Sequence, residues 1–458
     1  MQLTKHEHIA LEILKSKDIT VNEAYKLAND FVSKSIPAYE YSNAEEDWIE
    51  QIWQWADEFE ISENEVPRNK DQLLLMTRLR ISKNYDRPFT AMTYLHDNVC
   101  MLTNLMEIHV SDHELTELPS NIGNLKKLKT IDVGHNQLIE LPASICQLNE
   151  LMDLNAERNQ LISLPYELGN LVKLEAIDLT GNRLNELPLS IGQLTNLESL
   201  YVRENSLSKL PDSIGSLENL SELRIEENFL TTLPASIGNL TNLQWLHIYK
   251  NQLTHLPDEI NQLFNLVELR IDQNHLYKLP AKIGKMRSLR VFDIGYNHIC
   301  ELPQDIGQLE GLEELYVACN QIADLPISFF QLINLRNLSL PSNRITKLSE
   351  SISKLRALKI FYITDNMLSE IPDSIGKLMN LVEFDIGKNK ITELPGSIGE
   401  LSNLMSLYLG GNKINKLPDS ISDLESIESL VFDNNSSIQL SSCVEEFLDT
   451  VDNTEDFR

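Results

Sequence analysis

Cysteine, basic residues and long apolar runs are all scarce in this sequence of 458 residues. The five cysteines are odd in number and far apart, which argues against the clustered disulfides of secreted repeat proteins and favours reduced thiols. With 68 acidic residues against 39 lysines and arginines, the formal net charge of −29 opposes attraction to phosphate backbones or anionic lipid. The sequence therefore argues against nucleic acid and membrane surfaces as partners.

Apolar segments long enough for a membrane or a secretory signal are also lacking. No stretch approaches the roughly 20 apolar residues that span a bilayer. The amino terminus, MQLTKHEHIALEILKS, lacks the apolar core of about 7 to 15 residues that marks a signal peptide. A cytoplasmic location is therefore expected.

Motifs that carry chemistry are missing as well. Gly284-Lys285 and Gly376-Lys377 lack the earlier glycine and the following hydroxyl of a phosphate-binding loop. His6 and His8 are two residues apart, and neither a cysteine pair nor an HExxH motif completes a metal site. Cys319 has no neighbouring histidine to activate it. The sequence predicts no catalytic residue, metal site or cofactor, and no small-molecule substrate is evident.

What the sequence does contain is a regular repeat. Asparagine recurs at fourteen positions separated by intervals of 23 residues. His113 lies one further interval upstream, so the pattern loosens towards the amino end, as expected of a capping repeat. The fourteen positions are Asn136, Asn159, Asn182, Asn205, Asn228, Asn251, Asn274, Asn297, Asn320, Asn343, Asn366, Asn389, Asn412 and Asn435.

One complete unit, LTNLQWLHIYKNQLTHLPDEINQ, shows what each position does. The alternation around Leu246 and Ile248 has period two, which predicts a short strand with one buried side. The amide of Asn251 can satisfy backbone groups of its own turn and of the next coil, and stacked copies would form a ladder. Pro257 marks a return arm of short helical or polyproline turns. Stacked units bury their leucines jointly and predict a curved solenoid with a parallel sheet on its concave face.

The pattern LxxLxLxxNxLxxLPxxIGxL resembles the leucine-rich repeat family, in particular the 23-residue intracellular class shared by Ras-group scaffolds and many bacterial proteins. The resemblance covers roughly residues 73 to 440. It implies an α/β fold, a right-handed leucine-rich-repeat solenoid, and a non-catalytic scaffold that binds a protein partner, with a possible role in signalling. It fixes no reaction and no particular partner.

Both ends of the chain differ from the repeat, so three regions are expected: a helical amino-terminal cap at 1–72, repeats at 73–440 and a tail at 441–458. Two helices are predicted before residue 43. A third follows in NAEEDWIEQIWQWADEFEI, where Trp48, Ile52, Trp55 and Phe59 fall on one apolar stripe. Covering the open end of the first coil is the favoured role of the third helix, and docking of another protein is the alternative. The apolar residues of the tail predict a closing helix; these are Val444, Phe447, Leu448 and Val451.

The outward columns of the predicted sheet indicate where a partner would bind. Aromatic and arginine side chains gather between residues 201 and 316, and such side chains dominate binding hot spots. One flanking column is read as Arg203, Glu226, Tyr249, Asp272 and Tyr296. The predicted partner-binding residues are Tyr201, Arg203, Arg224, Trp245, His247, Tyr249, Arg270, Tyr296 and Tyr316.

Other interpretations stay open at this point. Exposed strand positions favour aromatic residues in any case, so scattered tyrosines have a purely structural explanation. Trp245, the only tryptophan of the repeats, favours a functional patch. The alternatives to a scaffold are a bacterial effector that is exported without a classical signal and binds host signalling proteins, and, more remotely, a cryptic enzyme in the amino-terminal helices.

Overall fold

The computed structural model describes residues 47–82, 91–436, 438–451 and 453–455. The chain divides into two compact units, Met1–Leu207 and Ser208–Arg458. Both are built from three-residue parallel strands joined by 3-10 helices. The two helices predicted before residue 43 lie outside the described residues. The boundaries at 72 and 440 stay predictions.

In the first unit, six strands pair in sequence order, each parallel to the next. They are β1 (Arg78–Arg80), β2 (Glu107–His109), β3 (Thr130–Asp132), β4 (Asp153–Asn155), β5 (Ala176–Asp178) and β6 (Ser199–Tyr201). The connecting 3-10 helices are Asp97–Met101, Ile122–Asn124, Ala143–Gln147, Leu168–Asn170 and Leu189–Gln193.

The second unit continues the pattern with eleven strands, again paired in sequence order and parallel. They are β7 (Glu222–Arg224), β8 (Trp245–His247), β9 (Glu268–Arg270), β10 (Val291–Asp293), β11 (Glu314–Tyr316), β12 (Asn337–Ser339), β13 (Ile360–Tyr362), β14 (Glu383–Asp385), β15 (Ser406–Tyr408), β16 (Ser429–Val431) and β17 (Asn453–Glu455). Its 3-10 helices are Asp212–Ser216, Ala235–Asn239, Asp258–Gln262, Ile283–Lys285, Ile306–Gln308, Ile327–Gln331, Glu350–Lys354, Asp373–Lys377, Gly396–Glu400 and Asp419–Asp423.

Each coil buries the aliphatic positions that the sequence pattern assigns to the core. In the coil of β8, Leu246 and Ile248 are fully buried, and Leu253 and Ile260 from the return arm pack into the same interior. Pro257 has φ −65° and ψ 147°, an extended geometry from which the 3-10 helix begins. The predicted solenoid of parallel strands and short helical return arms is confirmed in both units.

The predicted asparagine ladder is also confirmed. Asn251 Oδ1 accepts a hydrogen bond from the Leu230 amide at 2.9 Å, one coil earlier. Its Nδ2 donates to the carbonyls of Ile225 and Ile248, at 3.0 and 3.1 Å. The amide therefore satisfies buried backbone groups of two coils that no water reaches. In the first coil, His113 takes this place, with Nδ1 accepting from the Met92 amide at 3.3 Å.

The residue before each ladder position has a left-handed backbone, and glycine holds that place at only two of these positions. Gly181 and Gly411 have φ of 68° and 72°, whereas the other residues have φ between 48° and 61°. This turn sends the chain from the strand into the return arm. The non-glycine positions are Asp112, His135, Arg158, Glu204, Glu227, Lys250, Gln273, Tyr296, Cys319, Ser342, Asp365, Lys388 and Asn434.

Near the amino end of the first unit, two short helices precede β1: α1 (Asp47–Glu58) and α2 (Lys70–Leu74). The third predicted helix is therefore present as α1. It buries Ile52 and Trp55 as expected, and Trp55 Nε1 donates to the Tyr94 carbonyl at 3.2 Å. α1 also packs against the 3-10 helix Asp97–Met101.

The closing helix of the tail is present as α3 (Ser442–Leu448) in the second unit. It packs against the 3-10 helix Asp419–Asp423, and Val444 and Val451 are buried. Ser441 caps it, since its hydroxyl accepts from the Val444 amide at 3.4 Å and donates to Asp419 at 2.7 Å. Among the described residues, no helix is long and apolar enough to cross a membrane.

Candidate functional site

Three neighbouring strands of the second unit form a pocket on the outward side of the sheet. Parallel register places Trp245 of β8 between Glu222 of β7 and Glu268 of β9. The same register places His247 between Arg224 and Arg270. The pocket has a volume of about 540 Å³, and its lining residues are Glu222, Arg224, Trp245, His247, Tyr249, Glu268 and Arg270.

Each arginine of the pocket is held by a glutamate of its own strand. Arg224 Nε lies 2.5 Å from Glu222 Oε1, and Arg270 Nε lies 2.5 Å from Glu268 Oε1. Alternation in a strand puts residues two apart on the same face, so the repeated Glu-Leu-Arg sequence builds both pairs locally. The arginine side chains are 39% and 46% exposed, against 17% and 19% for their glutamates, so the guanidinium groups form the accessible rim.

His247 lies at the floor of the pocket. Although it was predicted to face outward, only 8% of the residue is exposed, because larger side chains on both neighbouring strands cover it. Burial lowers the pKa of His247, the charges of Arg224 and Arg270 add to this, and Glu268 opposes it. Its Nε2 lies 3.1 Å from Glu268 Oε1, and a carboxylate can only accept, so Nε2 donates. Glu268 is thereby shared between an imidazole and a guanidinium.

The aromatic side chains form the rest of the pocket. Trp245 is 37% exposed, so part of its side chain is open to solvent. The rings of Tyr249 and His247 lie 6.4 Å apart, and the Lys250 ammonium lies 6.0 Å from the centre of the Tyr249 ring. The pocket thus combines accessible aromatic surface with fixed charges of both signs, which is the composition of protein-binding hot spots.

The structure brings together five of the nine predicted residues: Arg224, Trp245, His247, Tyr249 and Arg270. Tyr316 lies on β11, where its hydroxyl donates to Glu314 at 2.6 Å, and burial with this bond raises the pKa of Tyr316 to about 12. Tyr201 ends β6 of the first unit, and Arg203 follows it there, 4.0 Å from Glu204.

The predicted placement of Tyr296 is wrong. The strand register aligns Gly295, not Tyr296, with the column of Tyr249 and Asp272, because Tyr296 is one residue further along. Tyr296 instead occupies the left-handed turn position, with φ 52° and 58% exposure. A hydrogen bond with Cys319 raises its pKa. A shift of one residue moves a side chain off the face to which it was assigned.

Two groups important to the pocket are absent from the predicted binding residues. They are Glu222 and Glu268, which orient both arginines. The signal for them is the repeated Glu-Leu-Arg sequence, with acid and base two residues apart on one strand face. No group of three or more histidine, cysteine or acidic side chains among the described residues is placed to hold a metal ion. His6 and His8 lie outside those residues.

Short parallel strands in 23-residue coils, an asparagine ladder and an outward face rich in aromatic and charged groups define a repeat protein of the interaction type. A family model described as leucine-rich repeat region matches residues 90–179, 157–228, 223–296, 281–366 and 346–451. The chain belongs to the leucine-rich repeat family. The fold of this family is commonly a scaffold for protein interaction and is typically non-enzymatic.

Solved structures agree with this assignment. A leucine-rich repeat protein of Leptospira interrogans has 31% sequence identity and a TM-score of 0.75, covering 85% of this chain and 98% of that chain. The leucine-rich repeat ectodomain of the plant membrane receptor kinase GASSHO1/SCHENGEN3 from Arabidopsis thaliana, solved in complex with CASPARIAN STRIP INTEGRITY FACTOR 2, has 30% identity and a TM-score of 0.61. That match covers 79% of this chain and 48% of the receptor chain.

A third structure, the plant peptide hormone receptor RGFR1 in complex with RGF2, has 28% identity and a TM-score of 0.59. The match covers 76% of this chain and 69% of that chain. Comparison with curated protein sequences gives no match.

Proposed function

We propose that this protein is a non-catalytic scaffold that binds a protein partner on the outward face of its sheet, centred on the pocket of β7, β8 and β9. The observation that carries the proposal is the pocket itself, where accessible Trp245 lies between two arginine–glutamate pairs. The pairs are formed before any partner arrives, so little reorganisation is needed on binding. Tyr316 extends the proposal beyond the pocket within the second unit, and Tyr201 and Arg203 are proposed binding residues of the first unit.

Two similar structures support a polypeptide partner. The Arabidopsis receptor ectodomain and the hormone receptor were each solved with a bound factor or hormone. Both contain the same fold at or near 30% identity. The proposal for this chain is therefore a peptide or protein ligand.

The pocket can be tested with a double variant and a matched control. Trp245→Ala with Arg270→Ala removes the indole and one rim cation. Phe264→Ala with Arg287→Ala removes the same kinds of group at exposed positions away from the sheet, where Phe264 is 51% exposed and Arg287 pairs with Glu310. Partners captured by the wild type are purified, and their affinity for all three proteins is measured.

The pocket variant should bind roughly 30-fold more weakly, equivalent to about 2 kcal/mol, as expected for a hot-spot pair. The control variant should bind as the wild type does, and both variants should keep the wild-type thermal midpoint within a few degrees. Equal affinity of the pocket variant and the wild type for every captured protein would refute the site.

We also propose that the protein works in a reducing compartment such as the cytoplasm. All five cysteines are free, and Cys100 and Cys146 are buried in the repeats of the first unit. Burial raises the pKa of each of these two thiols to about 12, which keeps them as unreactive thiols. Alkylation of protein taken directly from its cells should modify all five cysteines after denaturation without prior reduction. Fewer modified thiols would contradict the proposal.

A further inference from the structure

Beyond the pocket, the outward face of the next six strands has a different composition. We call the outward side of β10–β15 the tyrosine–carboxylate face. At its first and third strand positions it carries carboxylates and tyrosines but no lysine or arginine, and all of these positions lie in the described part of the chain. The charged and aromatic residues of this face are Asp293, Glu314, Tyr316, Tyr362, Glu383, Asp385 and Tyr408.

A row of small residues runs beside the tyrosines. Two residues after the end of each strand, where the pocket has Tyr249, this face has glycine, alanine, proline or threonine. These side chains project less from the sheet than the Tyr249 ring does in the pocket. The members of the row are Gly295, Ala318, Pro341, Thr364, Gly387 and Gly410.

The carboxylates of the face are held in fixed positions. Glu314 accepts a hydrogen bond from the Tyr316 hydroxyl at 2.6 Å. Burial and a hydrogen bond to Glu383 raise the pKa of Tyr362. Asp385 Oδ1 accepts from the Gly387 amide at 2.8 Å, and Asp293 Oδ1 accepts from the Gly295 amide at 3.0 Å. No rotation is needed to present these oxygens to a ligand.

Two carboxyl groups of this face, Asp293 and Asp385, ionise less readily in the fold than in a free chain. Burial and the nearby Asp272 carboxylate raise the pKa of Asp293 to about 6. Burial raises the pKa of Asp385 as well, and Glu383 adds to this effect. Partly buried carboxylates that repel one another gain more from an incoming cation than exposed, isolated ones do.

We infer that the tyrosine–carboxylate face binds the lysine and arginine side chains of a basic, extended segment of the protein partner. The inference rests on the proposed function and names the chemistry of the partner. Charge complementarity supports it, because the chain carries −29 overall and the strands of this face hold carboxylates but no lysine or arginine. The nearby cations, Arg270 of β9 and Lys388 after β14, only partly oppose the raised pKa values of Asp293 and Asp385. Tyrosine rings attract cations at their faces, which selects lysine and arginine over other polar groups.

The adjoining pocket limits where the basic segment can lie. Arg224 and Arg270 form its rim and would repel a lysine or arginine placed there. The basic part of the partner therefore lies over β10–β15, and an aromatic or apolar side chain meets Trp245. This arrangement gives the partner segment one direction along the sheet.

The first test uses a labelled peptide of alternating lysine and serine, with a peptide of alternating glutamate and serine as its counterpart. The wild type should bind the lysine peptide and not the glutamate peptide. Glu383→Gln with Asp385→Asn should weaken binding of the lysine peptide at least about threefold, the effect of losing two partly exposed ion pairs. Glu370→Gln with Asp373→Asn makes the same charge change at exposed positions in the return arm of the preceding coil and should have little effect.

Equal weakening in both double variants would overturn the inference, because attraction would then come only from the overall charge. Binding of the glutamate peptide to the wild type would overturn it as well. A second pair of variants tests the rings: Tyr362→Leu should weaken binding about twofold to fivefold, whereas Tyr362→Phe keeps an aromatic face and should bind more tightly than the leucine variant. Equal affinity of these two would exclude a contribution from the ring.

The partner itself separates this inference from the proposed function. A purified partner that loses affinity for the Trp245 and Arg270 variant but binds the Glu383 and Asp385 variant normally would leave the proposed function intact and refute the basic segment. A partner that binds the Trp245 and Arg270 variant normally but loses affinity for the Glu383 and Asp385 variant would refute the pocket as the binding centre and support the basic segment. Sensitivity to both is the expected result.

Discussion

At the scale of single residues, the left-handed turn before each ladder asparagine is a repeated source of backbone strain. Gln273 has φ 53° there and is exposed, with a side-chain bond only to neighbouring Asp272. In this conformation a side chain crowds the following carbonyl, a cost of roughly 1 to 2 kcal/mol that glycine escapes. Glycine is nevertheless rare at these turns, so the coils tolerate the strain.

Gln273→Gly should therefore stabilise the second unit by about 0.5 to 1 kcal/mol, since relief of strain is partly offset by the greater freedom of glycine in the unfolded chain. Gly411→Ala, at φ 72°, should destabilise it, because the added Cβ would also come within 3.2 Å of the Lys388 side chain. Urea unfolding of both variants measures these effects. A loss of stability in Gln273→Gly would show that the strain estimate is too high.

The carboxyl group of Asp293 gives a prediction that depends on pH. Its pKa is raised from 3.8 to about 6 in the fold, so the folded protein becomes less stable as this group ionises, and the loss is complete above about pH 6. Asp293→Asn cannot ionise and can still accept from the Gly295 amide. Its advantage over the wild type should be near zero at about pH 4 and reach about 1 to 3 kcal/mol at about pH 7.5.

Urea midpoints of the wild type and Asp293→Asn over this pH range check the prediction. Asp373→Asn, at an exposed position, should track the wild type throughout. A constant difference between Asp293→Asn and the wild type at all pH values would mean that the group is not the source of the effect.

At the scale of the element, two rows of asparagine join neighbouring coils, and they differ in burial. Asn320 of the inner row is 7% exposed and bonds the Ile299 amide and the carbonyls of Ile294 and Val317. Asn334 of the outer row is exposed and donates to the Glu310 carbonyl at 2.9 Å. Other members of the outer row are Asn196, Asn242, Asn265, Asn380 and Asn403.

Asn320→Ala should destabilise the second unit by about 2 kcal/mol, because it leaves the buried Ile299 amide without its partner. The Ile294 and Val317 carbonyls each lose one bond but keep a second from Asn297 and Asn343. Asn334→Ala should cost about 0.5 to 1 kcal/mol, since water replaces the lost bond. Chemical unfolding of the two variants side by side measures the difference. Similar losses would contradict the distinction between the inner and outer rows.

Most of the elements could be predicted from sequence, because each coil repeats one solution with period 23. The strand of Leu246, the ladder amide of Asn251 and the return arm after Pro257 all follow from residue type and spacing. The outer asparagine row also falls on intervals of 23, but Ser288, Gly311 and Ala357 interrupt it, so its signal is weaker than that of the unbroken inner row. The predicted apolar stripe of α1 is partly confirmed, because Trp55 is buried whereas Phe59 is only half-buried.

The candidate site was less predictable than the fold. Alternation correctly placed Trp245 and Arg270 on one face, but it could not show that His247 would be covered by its neighbours. Burial of an outward residue depends on the side chains of two adjacent coils. The misplacement of Tyr296 has a simpler cause, because the column position is Gly295 and Tyr296 is the next residue, where the left-handed turn begins.

At the scale of the whole molecule, charge is the dominant feature. A net charge of −29 destabilises a compact state by self-repulsion, while surface ion pairs such as Lys173–Glu150 offset little of it. Sodium chloride shortens the screening length from about 30 Å at 0.01 M to about 3 Å at 1 M. Thermal midpoints should therefore rise by several degrees as the salt concentration increases.

Differential scanning calorimetry across that range checks this prediction, with sucrose as an uncharged comparison. A midpoint that falls with added salt would mean that surface ion pairs outweigh repulsion. The same screening should weaken the lysine peptide at the tyrosine–carboxylate face, so stability and binding are expected to respond to salt in opposite directions.

The inner asparagine row also means that the protein can be shortened only by whole coils of 23 residues. Removing residues 298–320 would join Asn297 to Gln321, which Asn320 precedes in the intact chain. Asn343, which now donates to the Val317 carbonyl, would then donate to the Ile294 carbonyl, as Asn320 does in the intact chain. At the new junction between coils, every backbone amide and carbonyl bonded by the inner asparagine row would meet an equivalent group. An excision one residue longer or shorter would leave these hydrogen bonds unmatched at the junction. Variants that fold should therefore differ in length by whole coils.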